Sequence, residues 1–131
     1  MLKKKVLIVD DEKDFTKMTK INLEATGEYE VFIENISNKA LEKAKEVKPD
    51  IILLDILMPD TDGFTILKRL KKDESTISIP VVMLTAVSTE AAKTQATSLY
   101  DEGYIEKPIT IEDLIAKIES VLRIRWGRGV K

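Results

Sequence analysis

The chain contains no cysteine and no histidine. The first absence excludes disulfides and thiolate metal sites, and it fits a reducing compartment. The second excludes a histidine phosphocarrier, a Ser-His-Asp triad and an imidazole-bound zinc together. Charge of either sign is not in excess: 21 Lys and Arg stand against 23 Asp and Glu, a formal net charge of −2. That balance does not suggest a nucleic-acid binder held by bulk charge. No apolar run approaches the roughly 18 residues that would cross a membrane. The basic start, Met1 to Lys5, is followed only by Val6–Val9 before Asp10, too short for an export signal. A soluble cytoplasmic domain without membrane contact is the expectation.

What is present is a core. The chain has 131 residues with 44% apolar content, which fits one domain, residues 1–124, with 125–131 as a C-terminal tail or linker stub. Strand and helix patterns alternate. Strand one is expected at about 5–10, and a first helix over 13–26 with Phe15, Met18, Ile21 and Ala25 on its inner face, stopped by Gly27. Strand two, about 29–34, alternates Tyr29, Val31 and Ile33 inward, as an edge strand does. Ser37 is expected to cap a second helix carrying Ala40, Leu41, Ala44 and Val47.

Strand three is 51–55. Asp62 and Gly63 then open a third helix with Phe64, Leu67 and Leu70 inward, and strand four follows Pro80 at 81–84. A fourth helix is expected from Ser88, with the thin apolar face Ala91, Ala92, Ala96 and Leu99. Strand five is about 103–106, and the fifth helix starts at Thr110-Ile111-Glu112-Asp113, a capping-box variant. The alternation predicts an α/β fold: a parallel sheet covered on both faces, with right-handed crossovers.

Charged residues end these apolar runs. Val6–Val9 leads into Asp10-Asp11, Ile51–Leu54 into Asp55, and Tyr104-Ile105-Glu106 into Lys107-Pro108. Runs of Val, Ile and Leu read as strands buried on both faces, and open α/β sheets put their ligands outside the strand C-termini. An acidic pair at a strand end is also an ordinary helix cap or solvated loop. Adding Asp55 and Lys107 at ends of the same sheet turns the reading toward a hard cation and a phosphoryl group. Mg2+ prefers oxygen ligands and keeps waters, so one or two direct carboxylates suffice. Asp55 is itself a competent nucleophile toward phosphorus. Thr85 offers a hydroxyl at the end of strand four, and Ala86 brings a backbone N–H to the same place.

These residues carry a resemblance. The chain resembles the receiver domain of bacterial two-component response regulators over residues 3–123. The motifs are V-L-I-V-D-D-E (6–12), D-I-I-L-L-D-I-L-M-P-D-T-D-G (50–63), V-V-M-L-T-A (81–86) and Y-I-E-K-P (104–108). The resemblance implies a flavodoxin-like, doubly wound five-stranded parallel sheet in strand order 2-1-3-4-5 with five helices. It implies Asp55 as phosphoacceptor, with Mg2+ held by Asp11, Asp55 and the Leu57 carbonyl, and by Asp10 through water. It also implies that Thr85 and Lys107 bind the phosphoryl group, and that Tyr104 rotates when Thr85 moves. The output face would be the fourth helix, fifth strand and fifth helix. The donor would be a sensor histidine kinase or a His phosphotransfer protein, docking by the first helix, with a downstream effector protein or domain as receiver of the signal. Homodimerisation on phosphorylation is compatible with the resemblance; direct nucleic-acid binding by this domain is not expected. Such a domain catalyses its own phosphorylation and turns over no substrate.

Departures from the family pattern matter for lifetime. In the family the positions held here by Leu57 and Val87 flank the path of the hydrolytic water, and neither side chain can orient it, so a long-lived aspartyl phosphate is expected. Thr61 stands where many members of the family carry an apolar residue, with little effect expected. Competing readings are a flavodoxin-type electron carrier, a phosphohydrolase and a degenerate receiver acting as a phosphate-independent interaction module. The acidic Asp10–Asp14 segment disfavours a flavin phosphate, and Leu57 stands where the hydrolase would need an aspartate.

Overall fold

The structure is a computed structural model that describes residues 2–86 and 103–129, the side chains of 124–129 aside. Five parallel strands form one sheet in the order β2-β1-β3-β4-β5. They are β1 (Lys4–Val9), β2 (Tyr29–Glu34), β3 (Ile51–Asp55), β4 (Val81–Thr85) and β5 (Tyr104–Glu106). The helices are α1 (Lys13–Glu24), α2 (Ala40–Val47), α3 (Gly63–Lys72) and α4 (Ile111–Gly129). The helix expected from Ser88 falls outside the described residues, so α4 is the element expected as the fifth helix. It continues to Gly129, through the stretch expected as a tail.

The strands read as apolar runs because both faces are covered. Val6, Ile8, Ile51, Leu53, Val82 and Leu84 point to the face shared with α1 and α4, where they meet Leu23, Leu114 and Ile118. Leu7, Val9, Ile52, Leu54, Val81 and Met83 point to the opposite face, against Ala40 and Ala44 of α2 and Ile66, Leu67 and Leu70 of α3. Burying a Leu, Ile or Val side chain stabilises the fold by about 1.5–3 kcal/mol relative to leaving it in water. β2 is an edge strand, as its alternation predicted.

Local signals set the helix starts at two places. The Asp62 side chain accepts from the Thr65 N–H at 2.9 Å and caps α3. The Thr110 hydroxyl accepts from the Asp113 N–H at 3.1 Å and caps α4. Ser37 differs from expectation. It opens a short 3-10 turn (Ser37–Lys39), and its hydroxyl donates to the Pro59 carbonyl at 3.3 Å, so it caps no helix.

The inner face of α1 also differs. Thr16, Thr19 and Leu23 are buried, whereas Met18 and Ile21 are more than half exposed and Ala25 lies beyond the helix. The helix is rotated away from its apolar stripe because Thr16 can be buried cheaply. Its hydroxyl donates to the Lys13 carbonyl and accepts from Asn35. Asn22, set among those apolar residues in the sequence, is accordingly exposed.

Candidate functional site

β1 and β3 are neighbours in the sheet, so Asp10, directly after β1, and Asp55, the last residue of β3, emerge side by side. Both are buried, at 0% and 4% exposure, while Asp11 remains partly exposed. One carboxylate oxygen from each of Asp10, Asp11 and Asp55 lies within 4.8 Å of the others. Asp10 Oδ1 accepts from the Glu12 N–H at 2.9 Å, which shapes the turn into α1.

Lys107 enters from the end of β5. Its N–H donates to the Thr85 carbonyl at 2.7 Å, joining the ends of β4 and β5, and the Lys107–Pro108 peptide is cis. Its ammonium lies 2.6 Å from Asp10 Oδ2, 2.6 Å from Glu12 Oε1 and 3.9 Å from Asp55 Oδ1. It also sits over the Phe15 ring, 4.3 Å from the centroid. Beyond the ion pair with Lys107, the buried Oδ2 of Asp10 has no hydrogen-bond partner.

Burial sets the protonation of this group. Burial, with Asp10 close by, pushes Asp55 up to about 7 against the pull of Lys107. Burial also raises Asp10, opposed by Lys107 and the Glu12 N–H. Burial works against the charge of Lys107, but the carboxylates of Asp10 and Glu12 outweigh it and hold the ammonium above its ordinary value. The donor set is all oxygen, crowded and short of positive charge. It fits a hard divalent cation such as Mg2+, with Asp10, Asp11 and Asp55 as the residues able to hold it.

The other candidates lie around this edge. Thr85 is buried at the end of β4, followed by exposed Ala86. Leu57, in the loop after β3, is 56% exposed. Tyr104 is half-buried opposite Met83 and packs on the α2–α3 face of the sheet. Val87 is outside the described residues. Four participants were not expected from sequence: Glu12 and Phe15 around Lys107, Asn35, and Gly63. Gly63 donates its N–H to the Ile56 carbonyl at 2.8 Å, bringing the start of α3 against the end of β3. Gly63 carried a sequence signal as a helix start, Phe15 one as an inner-face residue of the first helix, and Glu12 lay within the motif at 6–12, but none of these signals pointed to the site.

A parallel α/β sheet with acidic strand ends and an inward lysine at one edge defines a receiver-type fold. The sequence model of the response regulator receiver domain matches residues 6–119, and the chain belongs to that family. It is 40% identical over 129 residues to the phosphate regulon transcriptional regulatory protein PhoB of Pseudomonas aeruginosa, covering 98% of this chain and 56% of that protein. It is 38% identical over 121 residues to the DNA-binding dual master transcriptional regulator RpaA of Synechocystis, covering 91% of this chain and 49% of that one. The chain therefore spans about half the length of the curated relatives it matches. Among solved structures, a CheY-like receiver domain protein from Methanospirillum hungatei superposes with a TM-score of 0.87 at 28% identity, covering 97% of this chain and 99% of that one. The chemotaxis protein CheY4 of Vibrio cholerae does so with a TM-score of 0.84 at 29% identity, covering 92% and 99%. Receiver domains of this family are signalling switches rather than turnover enzymes. Among the described residues, no helix is long and apolar enough to cross a membrane.

Proposed function

We propose that this chain is a phosphorylation-activated switch whose acceptor is Asp55, charged by a sensor histidine kinase or a His phosphotransfer protein in a Mg2+-dependent reaction in the cytoplasm. The observation that carries the reading is the buried Asp55 carboxylate, within 4.8 Å of two further carboxylates and 3.9 Å from the Lys107 ammonium. An Asp55 oxygen attacks phosphorus, the bond from phosphorus to the donor nitrogen breaks, and the leaving imidazole takes up a proton. Such transfer depends on alignment and charge neutralisation. Asp11, Asp55 and the Leu57 carbonyl, with Asp10 through water, would hold Mg2+, which would supply positive charge beside the acceptor. Lys107 supplies another, drawn from its pairing with Asp10 and Glu12 toward the phosphoryl oxygens. Thr85 and the Ala86 N–H donate to those oxygens.

The phosphoryl group brings nearly two negative charges to one end of the sheet. It binds better to the arrangement with Thr85 drawn inward, and so shifts a two-state equilibrium. Tyr104 follows Thr85 and carries the change to the face formed by the segment expected as a helix over 88–99, β5 and α4. An effector protein or domain, or a second copy of the chain, reads that face. The donor docks on α1, where Met18 and Ile21 are exposed. A groove of about 320 Å3, lined by Phe15, Met18, Asn22, Ile109 and Leu114 among others, continues that surface toward Lys107.

Intact-mass measurement after incubation with acetyl phosphate, with and without Mg2+, tests the reading on wild type and Asp55→Asn. One Mg2+-dependent phosphoryl adduct, lost in the variant, is expected. No adduct in wild type would favour the phosphate-independent interaction module.

A further inference from the structure

β1 and β2 pair from Lys4↔Tyr29 to Val9↔Glu34, and the Asp10 N–H still donates to the Glu34 carbonyl at 3.1 Å. Bonds in a parallel ladder are evenly spaced, so the next would run from the Ile36 N–H to the Asp10 carbonyl. β2 does not supply it. The Ile36 N–H turns instead to the Glu34 carboxylate at 3.0 Å, and the chain enters the 3-10 turn at Ser37. The Asn35 side chain takes its place. Its Nδ2 donates to the Asp10 carbonyl at 2.7 Å and to Thr16 Oγ1 at 3.1 Å. Thr16 is buried, and its hydroxyl donates a hydrogen bond to the Lys13 carbonyl. One amide therefore joins the end of β2, the peptide between Asp10 and Asp11, and the first turn of α1.

We propose that Asn35 is a positioning residue for the divalent-cation site, an inference that rests on reading Asp10, Asp11 and Asp55 as that site. Three carboxylates this close repel one another, and the repulsion acts to swing the β1–α1 turn outward. The Asn35 bond holds the carbonyl of the peptide that carries Asp10 on one side and Asp11 on the other. With that peptide fixed, both carboxylates stay aimed at Asp55 before a cation arrives. Groups that orient metal ligands in this indirect way commonly change metal affinity tenfold or more.

Calorimetric titration with Mg2+ tests this on wild type, Asn35→Ala and Asn38→Ala, at a temperature where urea denaturation shows each to be folded. Asn38 is the control, because its side chain accepts from Thr61 in the loop before α3 and from Arg69 of α3. The expected result is a Kd about tenfold weaker in Asn35→Ala and unchanged in Asn38→Ala. A lowered stability with an unchanged Kd would overturn the proposal and leave Asn35 a structural role. Absence of Mg2+ binding in wild type would overturn the site reading itself, and this proposal with it. Should Asn35→Ala not fold, nuclear magnetic resonance of wild type decides. The Asn35 side-chain amide signals should shift along the Mg2+ titration with the Kd seen by calorimetry, and signals that stay unmoved would overturn the proposal.

Discussion

A Cβ added to Gly63 would lie 2.1 Å from the carbonyl oxygen of Asp55 and 2.8 Å from Ile56 Cα. Both contacts are with backbone, so no side chain can swing aside. Gly63 is where α3 meets the strand end that carries Asp55. Gly63→Ala must push α3 away or move the Asp55 peptide, and the cost expected is about 3 kcal/mol, at the upper end for overpacking. Urea denaturation measures it as a lower midpoint with an unchanged slope. A variant as stable as wild type would mean that α3 shifts freely.

The buried carboxylates give a pH dependence of defined sign. The folded value of Asp55, about 7, lies above its ordinary 3.8, so the folded chain holds a proton that the unfolded chain releases. In chelator, stability is therefore greatest toward the acid side of this window and falls as pH rises to about 7, then levels. Melting temperatures between about pH 5 and pH 8 should show that fall. Asp55→Asn should flatten it, and added Mg2+ should remove most of it by stabilising the ionised form. A wild-type melting temperature that rises with pH across this window would contradict the burial argument.

Leu57 is more than half exposed in the loop after Asp55 and offers water neither a donor nor an acceptor from its side chain. Replacing it by asparagine supplies both. The phosphorylated Leu57→Asn domain is expected to lose its phosphoryl group about tenfold faster or more than wild type. Decay of the intact-mass adduct measures this. A wild-type half-life of seconds in saturating Mg2+ would leave the slow-hydrolysis expectation without support.

At the opposite end of the sheet, Glu119 of α4 accepts from the buried Tyr29 hydroxyl and from Lys4 Nζ, at 2.9 Å to each carboxylate oxygen. Burial raises Tyr29, and the Glu119 carboxylate adds to that, so the phenol stays protonated and donating. Glu119 is lowered: burial is outweighed by Lys4 and Tyr29. Tyr29→Phe should cost about 1.5–3 kcal/mol in urea denaturation, the range for a hydrogen bond to a charged group. No loss would mean that Lys4 alone holds Glu119.

Much of the sheet was legible because it is written locally. Ile51–Leu54 has no polar residue, which only a strand covered on both faces tolerates, and the adjacent Asp55 then stands at the ligand edge. The thinner signals misled where polar side chains found tertiary partners. Thr16, not named on the expected inner face, is buried because Asn35 and the Lys13 carbonyl satisfy its hydroxyl. Met18 and Ile21 looked like core and are exposed because α1 turned to accommodate Thr16.

The α/β class, the order of the described strands and helices, and which carboxylates and lysine end the buried runs are all written in the chain. Each of these follows from residues adjacent in the chain, through the period of side-chain burial. Folding alone brings Glu12 and Phe15 to Lys107, gives Asn35 a ladder bond to Asp10, and leaves no room for a side chain at Gly63. Those relationships join residues far apart in sequence, and their distances exist only once the parallel strands have set their register.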